Sequence, residues 1–111
     1  MAGPISMHAV GLCSNATSQE LVLPADHLNR TIRWSRICAR DFTTALDRID
    51  FWLRTGTTYQ QLGNGLFPAA KEMVTIDPFV LAPGEARVGA TYYGATAGDQ
   101  LEIYAYGEME G

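Results

Sequence analysis

Residues able to do chemistry are few and scattered in this 111-residue chain. Neither His8 nor His27 has a second ligand at His-x-x-x-His or Cys-x-x-Cys spacing, so the sequence predicts no zinc site. Cys13 and Cys38 also lack metal-ligand spacing. We expect them to be two reduced, buried thiols, because free cysteine packs as a small hydrophobe; a Cys13–Cys38 disulfide is the alternative. The sequence therefore predicts no metal and no cofactor.

Catalytic patterns are equally weak. Asp47 and Asp50 could form a carboxylate pair, but in a strand they point to opposite faces, with Arg48 between them. No nucleophile elbow surrounds any serine. The glycines at 89, 94 and 98 do not form a phosphate loop. That motif has a lysine directly after its second glycine, whereas Ala95 follows Gly94 here. We expect a protein that is not an enzyme.

Charge is unevenly distributed along the chain. The net charge is −4, yet residues 30–54 hold six arginines against three aspartates. An acidic chain does not favour nucleic-acid binding. Arginine pairs bidentately and loses water more easily than lysine, which suits protein interfaces. The candidate interface residues among these arginines are Arg33, Arg36, Arg40 and Arg54. We expect at least two of these four to meet carboxylates of a neighbouring subunit.

The surrounding elements read as short strands broken by glycine and proline. Alternating patterns occur in "ELVLP", "RTIRWSRICAR", "DRIDFWLRTG", "ARVGATYYG" and "QLEIYAYG". A phase shift at Ile37 indicates a bulge, and "ATAGD" indicates a turn with Gly98 at positive φ. This spacing predicts an all-β fold, a single antiparallel β-sandwich or jelly-roll-like barrel.

The predicted core follows from the same alternation. We expect these side chains to be buried: Leu21, Leu23, Ile32, Ile49, Phe51, Leu53, Val74, Ile76, Val88, Leu101 and Ile103.

A helix is the alternative for residues 41–54. Apolar residues recur there at i, i+3, i+4 and i+7, with Asp41 as an N-cap and Gly56 as a C-cap. A helix would make the fold α+β. The strand is favoured because the flanking chain is β and because Thr43 and Thr44 lie within the run.

Tyr104 and Tyr106 face outward if Leu101, Ile103 and Ala105 face the core. Outward tyrosine is typical of protein interfaces. Carbohydrate stacking and ordinary cross-strand packing remain alternatives.

Residues 1–18 are rich in Gly, Ser, Ala and Thr without a clear period. We predict a mostly irregular N-terminal arm that lies against another subunit, followed by a β-sandwich domain over 19–111. The start has no basic region before an apolar core, and no apolar run is long enough to span a bilayer. We expect no membrane partner and synthesis in a cytoplasm.

Three stretches carry a family resemblance: "RTIRWSRICAR", "IDFWLRTGTTYQQLG" and "VTIDPFVLAPGEARVGATYYGATAGDQLEIYAYGE". Together they resemble small β-sandwich virion proteins of tailed bacteriophages, of the head-decoration, head–tail connector or tail-ring type. The motifs are turn and strand signals such as "LAPGE" and "GDQLEIYAYGE". Arg40 departs from the family pattern, which has Asn after the second strand.

The resemblance implies a non-enzymatic virion protein made in a bacterial host. Its expected partners are copies of itself, in a homo-oligomer, and other virion proteins, with no nucleic acid. The alternative function is a carbohydrate- or host-surface-binding β module.

Overall fold

The computed structural model describes residues 3–14, 18–24, 30–78 and 80–109. These residues form nine strands: β1 (Gly3–Leu12), β2 (Ser18–Val22), β3 (Ile32–Asp41), β4 (Arg48–Thr55), β5 (Thr58–Leu66), β6 (Val74–Ile76), β7 (Val80–Ala82), β8 (Arg87–Tyr93) and β9 (Gln100–Met109).

The strands form two antiparallel sheets. Sheet A has the order β1-β9-β3-β6, and β7 also pairs with β3; sheet B has the order β2-β8-β4-β5. The two sheets pack face to face, so the alternating apolar side chains of each strand meet in one core. The predicted all-β antiparallel sandwich is confirmed.

The core contains most of the side chains predicted for it. Eight of the eleven are buried: Leu23, Ile32, Ile49, Phe51, Leu53, Val88, Leu101 and Ile103. Leu21, Val74 and Ile76 are only partly buried against this core. Val74 and Ile76 lie on β6, an edge of sheet A, which pairs with β3 and has no second strand partner among the described residues.

The helical alternative for residues 41–54 is wrong. Residues 48–55 form β4, which pairs with β5 and β8 on its two sides. Ile49, Phe51 and Leu53 all face the core from this strand. The period-2 pattern prevails because a central strand pairs its backbone on both edges and still buries its apolar face.

The prediction of a mostly irregular segment at residues 1–18 is also wrong. Gly3–Leu12 forms β1 and pairs with β9 along its whole length. Ile5, Met7 and Ala9 contact the core and alternate with exposed residues. Small side chains made this period-2 pattern inconspicuous in the sequence. Contact of the segment with another subunit stays a prediction.

Local features of the strands agree with the sequence. The register of β3 against β9 shifts between Trp34 and Arg36, which places the predicted bulge at Ser35. Gly98 has a φ of 95°, as its turn requires. Cys13 and Cys38 are buried and are not joined by a disulfide, as predicted.

Candidate functional site

The solvent side of sheet A, called face A, gathers most of the residues singled out by sequence. Antiparallel partners directly opposite each other point to the same side of a sheet. Since the inner side of β9 carries Leu101, Ile103 and Ala105, the intervening residues point to the outer side of the sheet. Face A is formed by Ser6, His8, Val10, Arg33, Arg36, Cys38, Arg40, Glu102, Tyr104, Tyr106 and Glu108.

Three rungs cross face A from β1 through β9 to β3. Val10, Glu102 and Arg40 form the first, while His8, Tyr104 and Cys38 form the second. Ser6, Tyr106 and Arg36 form the third. The His8 and Tyr104 rings stack with centroids 6.0 Å apart. Face A is therefore a mixed aromatic and charged surface.

Glu102 is the centre of a hydrogen-bond network on this face. Its Oε1 accepts from Arg40 Nε at 3.1 Å and from the Tyr104 hydroxyl at 2.7 Å, and its Oε2 accepts from Gln100 Nε2 at 3.0 Å. Burial acts to raise the pKa of Glu102, but these three hydrogen bonds outweigh it and hold the pKa below its ordinary value. The same bond to Glu102 raises the pKa of Tyr104.

Tyr106 is a half-exposed aromatic group of face A, with 46% of its surface exposed. It separates two shallow depressions. One is lined by Ser35, Arg36, Cys38, Thr75, Asp77 and Tyr106, and the other by Pro4, Ile5, Ser6, Tyr106 and Gly107. A half-exposed tyrosine between two hollows can insert into, or receive, a side chain of a partner protein.

The structure brings five of the six predicted interface residues together on face A: Arg33, Arg36, Arg40, Tyr104 and Tyr106. Arg54 lies instead on sheet B, 5.7 Å from the centroid of Trp52 and 6.0 Å from that of Tyr59.

The arginines of face A meet carboxylates of their own chain. Arg36 Nε lies 3.0 Å from Asp77 Oδ1, and Arg40 Nε lies 3.1 Å from Glu102 Oε1. Arg33 stands opposite Glu108 in the register of β3 and β9. Arg36 and Arg40 therefore already have an anionic partner within the chain. Pairing with a neighbour's carboxylates stays a prediction.

The solvent side of sheet B, called face B, has a different character. It is formed by Glu20, Arg48, Asp50, Trp52, Arg54, Tyr59, Gln61, Thr91 and Tyr93. The Trp52 indole donates its Nε1–H to Thr91 Oγ1 at 3.0 Å, and Tyr59 packs edge-on against it with centroids 5.0 Å apart. Arg48 stacks on Tyr93 at 4.3 Å.

Sequence reasoning missed the core of face B. Trp52 is buried although it points away from the sandwich core. Gly89 explains this, because a Cβ there would stand 2.4 Å from Trp52 Cη2. The indole lies flat on a strand without a side chain at that point. The sequence contains the glycine, in "RVGATYY", but only the cross-strand register shows that Gly89 lies opposite Trp52.

A shallow depression crosses face B. It is lined by Glu20, Asp50, Phe51, Trp52, Tyr59, Gln61, Thr91 and Tyr93. Tyr59 is 49% exposed, so an aromatic ring stands beside carboxylate and amide groups. This combination can stack on an apolar ring face and hydrogen-bond hydroxyls at its edge.

Two carboxyl groups are buried at the end of β3. Asp41 accepts from the Thr43 and Thr44 backbone N–H groups at 2.8 and 3.0 Å, and Asp99 accepts from the Thr44 hydroxyl at 3.0 Å. Burial, and then the hydrogen bond to Asp99, raises the pKa of Asp41 to about 6. The pKa of Asp99 is lowered: burial opposes this, but hydrogen bonds, first that to Asp41, outweigh it. Both side chains are closed to solvent, so the pair joins the β3 end to the β8–β9 turn.

Asp47 and Asp50 do not form the carboxylate pair considered from the sequence. Asp50 pairs with Arg48 at 3.0 Å, while Asp47 precedes β4 and its backbone N–H donates to the Tyr93 carbonyl. His27 lies outside the described residues.

Within the described ranges, no group of three or more His, Cys, Asp or Glu is placed to hold a metal ion. The same part of the chain contains no helix with the length and apolarity needed to cross a membrane.

Comparison with known proteins shows the fold and little more. No protein-family model matches the chain, and no curated protein sequence matches it. The C-terminal domain of a chitobiase from Bacteroides fragilis matches 88% of this chain and 68% of its own, with 12% identity and a TM-score of 0.63.

Two further solved structures are similar over nearly the whole chain. A family 32 carbohydrate-binding module of C. perfringens NanJ, in complex with galactose, has 12% identity and a TM-score of 0.53, with 94% of this chain and 92% of that module covered. A chain of infectious bursal disease virus, Gx strain, has 11% identity and a TM-score of 0.51, with 98% of this chain and 30% of that chain covered. At such identities these similarities concern the sandwich fold.

Proposed function

We propose that this chain is a non-enzymatic structural module of a tailed-phage virion, which binds neighbouring subunits through face A. The observation that carries the proposal is the clustering on face A of five residues selected by sequence, with half-exposed Tyr106 between two hollows. The sequence resemblance supports the virion as the assembly. A neighbour from a virus structure is compatible with it at the level of fold.

The ion pairs within the chain limit what charged groups of a partner protein can contribute to binding. Because Arg36 and Arg40 already have carboxylate partners, a partner protein gains little by bringing further acidic groups. Burial of the Tyr106 ring supplies the main contribution, and the pairs around it form a polar rim that fixes orientation.

Tyr106 and Tyr59 make a matched test, since the two tyrosines have similar exposure, 46% and 49%, on opposite faces. We expect the chain to co-sediment with the virions whose genome encodes it. Tyr106→Ala should lower the number of copies per particle several-fold, while Tyr59→Ala leaves it unchanged. Absence of the wild-type chain from purified particles would overturn the proposal, and equal loss in both variants would remove face A as the binding surface.

Carbohydrate binding is the second candidate, favoured by the depression on face B. Tyr59 offers a ring for stacking, while Asp50 and Gln61 offer groups for hydroxyl recognition. A galactose-bound structural neighbour supports testing this sugar first.

The same two variants test this candidate with the opposite pattern. Titration of galactose by NMR should shift resonances of face B in the wild type and in Tyr106→Ala, and should fail in Tyr59→Ala. Shifts spread over face A, or none at millimolar sugar, would exclude a galactose site on face B.

A further inference from the structure

Strand β1 is an edge of sheet A. It pairs with β9 on one side, and its other side has no strand partner among the described residues. The unpaired edge is ten residues long, with the sequence GPISMHAVGL. A long, regular edge presents a row of backbone donors and acceptors that another strand can use.

The direction of these groups follows from the ladder. The Cys13 N–H donates to the Asp99 carbonyl at 2.8 Å, which continues the β1–β9 register by one residue. In an antiparallel ladder, alternate residues exchange hydrogen bonds with the partner strand. The odd-numbered residues of β1 therefore point their backbone groups at β9. The even-numbered ones point theirs at the free edge: Pro4, Ser6, His8, Val10 and Leu12.

The other three sheet edges carry stronger features that discourage pairing than β1 does. β6 and β7 have three residues each. β2 has five residues and includes the charged Glu20. β5 is interrupted by a register shift opposite Phe51 and Trp52. Short length, charge and bulges are the usual protections of an edge. In β1 only Pro4 is of this kind, and it lies near the start of the strand.

We propose that β1 pairs with β1 of a second copy of this chain, in an antiparallel two-fold dimer. The strand contains no Asp, Glu, Lys or Arg, so self-pairing brings no two such side chains together. Equal edges related by a two-fold axis also form a closed pair, not an open fibre. The inference rests on the proposed function, because it names another copy of the chain as one of the bound subunits.

The unpaired backbone groups of β1 also indicate the register of the proposed β1–β1 pair. Centring the pair on His8 places His8 opposite its own equivalent, Ser6 opposite Val10, and Pro4 opposite Leu12. Every even-numbered residue of the strand then has a residue opposite it, although Pro4 has no N–H and only accepts from Leu12. Side chains of one face meet side chains of the same face. Any other centre leaves at least one free residue unpaired. Face A of the two copies becomes continuous across the axis.

Sedimentation velocity of the full chain tests the dimer. We expect a dimer for the wild type, and for His8→Lys a dissociation constant at least tenfold higher, because two ammonium groups would oppose each other at the axis. His8 is exposed, so this variant should keep the wild-type circular dichroism spectrum. The matched control is Gln60→Lys, at an exposed position on the β5 edge, which should leave the dimer intact.

Cross-linking tests the register. Residues of a hydrogen-bonded antiparallel pair lie about 5.5 Å apart at Cα, within the range of a disulfide. Under mild oxidation His8→Cys should form a covalent dimer, Ser6→Cys should not, and the double variant Ser6→Cys/Val10→Cys should. A monomeric wild type, a dimer insensitive to His8→Lys, or cross-linking equal in all variants would overturn the inference. Virion binding of the wild type separates this result from the proposed function. A monomeric wild type that still co-sediments with virions would overturn the dimer alone, and a dimeric wild type that is absent from virions would overturn the proposed function alone.

Discussion

Face A and face B cover the same core but are held together by different forces. On face A, charged groups are matched in pairs, with Glu102 nearly buried under Arg40 and Tyr104. On face B, an aromatic group is buried against the bare backbone of Gly89. Electrostatic matching responds to pH and salt, whereas aromatic packing responds mainly to lost contact area. The comparison predicts which variants depend on solution conditions.

The largest effect should come from Trp52→Ala on face B. The substitution removes a buried indole, a hydrogen bond to Thr91 and the packing of Tyr59. We expect the free energy of unfolding to fall by about 3–5 kcal/mol, as for other buried aromatic truncations. Urea unfolding at low and high salt should give the same loss. A strongly salt-dependent loss would show that Arg54, stacked beside the ring, contributes more than the packing does.

Glu102→Gln is the corresponding change on face A. It leaves Arg40 without an anionic partner and weakens the bond from Tyr104. We expect a loss of about 1–3 kcal/mol at pH 7, the range for hydrogen bonds to charged groups. Glu108→Gln, an exposed change on the same strand and face, should cost much less.

The pH dependence of this loss has a defined sign. The folded-state pKa of Glu102 is lowered from 4.5, so its contribution is present above pH 4.5 and disappears as the pH falls through the folded pKa. The difference in stability between wild type and Glu102→Gln should therefore shrink in acid. A constant difference down to pH 3 would contradict the assignment of a charged, hydrogen-bonded Glu102.

The sequence predicted the fold better than the faces, for a physical reason. Alternation in β4, β8 and β9 reports directly which residues enter the core, and Phe51, Val88 and Ile103 are buried as expected. The register between two strands cannot be read from the sequence of one strand alone. Which arginine meets which carboxylate depends on the pairing of β3 with β9 and on the bulge at Ser35.

The clustering of arginine along the chain was therefore informative about position but not about partners. Arg33, Arg36 and Arg40 lie on one face because the bulge at Ser35 offsets the odd spacing between Arg33 and Arg36. The partners of Arg36 and Arg40, Asp77 and Glu102, come from distant sequence. In β1 the sequence pattern was misleading about structure: the side chains do alternate, but small ones such as Ala9 made the alternation hard to recognise.

Asp41→Asn sharpens the comparison from within sheet A, because the pKa of Asp41 moves in the opposite direction to that of Glu102. Its folded-state pKa is raised from 3.8 to about 6. Its protonated form therefore contributes stability that is complete below pH 3.8 and is lost as the pH rises through about 6.

Asparagine reproduces the neutral form and can still accept the Thr43 and Thr44 N–H groups. We expect Asp41→Asn to raise the free energy of unfolding at pH 8 by on the order of 1 kcal/mol, with no gain at pH 4. Melting curves from pH 4 to 8 measure this, and Asp47→Asn, at an exposed position nearby, serves as the control. A variant less stable than wild type at pH 8 would show that the fold favours the charged carboxylate of Asp41, and would contradict the raised pKa.

Arg36→Ala should give the smallest effect, although its ion pair is as short as that of Arg40. The distances to Asp77 and Glu102 are 3.0 and 3.1 Å, but the side chains of the Arg36–Asp77 pair are 59% and 52% exposed, against 28% and 4% for Arg40–Glu102. Water screens the exposed pair, and ordering two long side chains offsets what attraction remains. We therefore expect the melting temperature of Arg36→Ala to equal that of the wild type at moderate salt, whereas Arg40→Ala lowers it by leaving a buried carboxylate without its cation. Equal destabilisation by the two variants would mean that face A acts as one coupled charge network in which exposure does not set the strength of each pair.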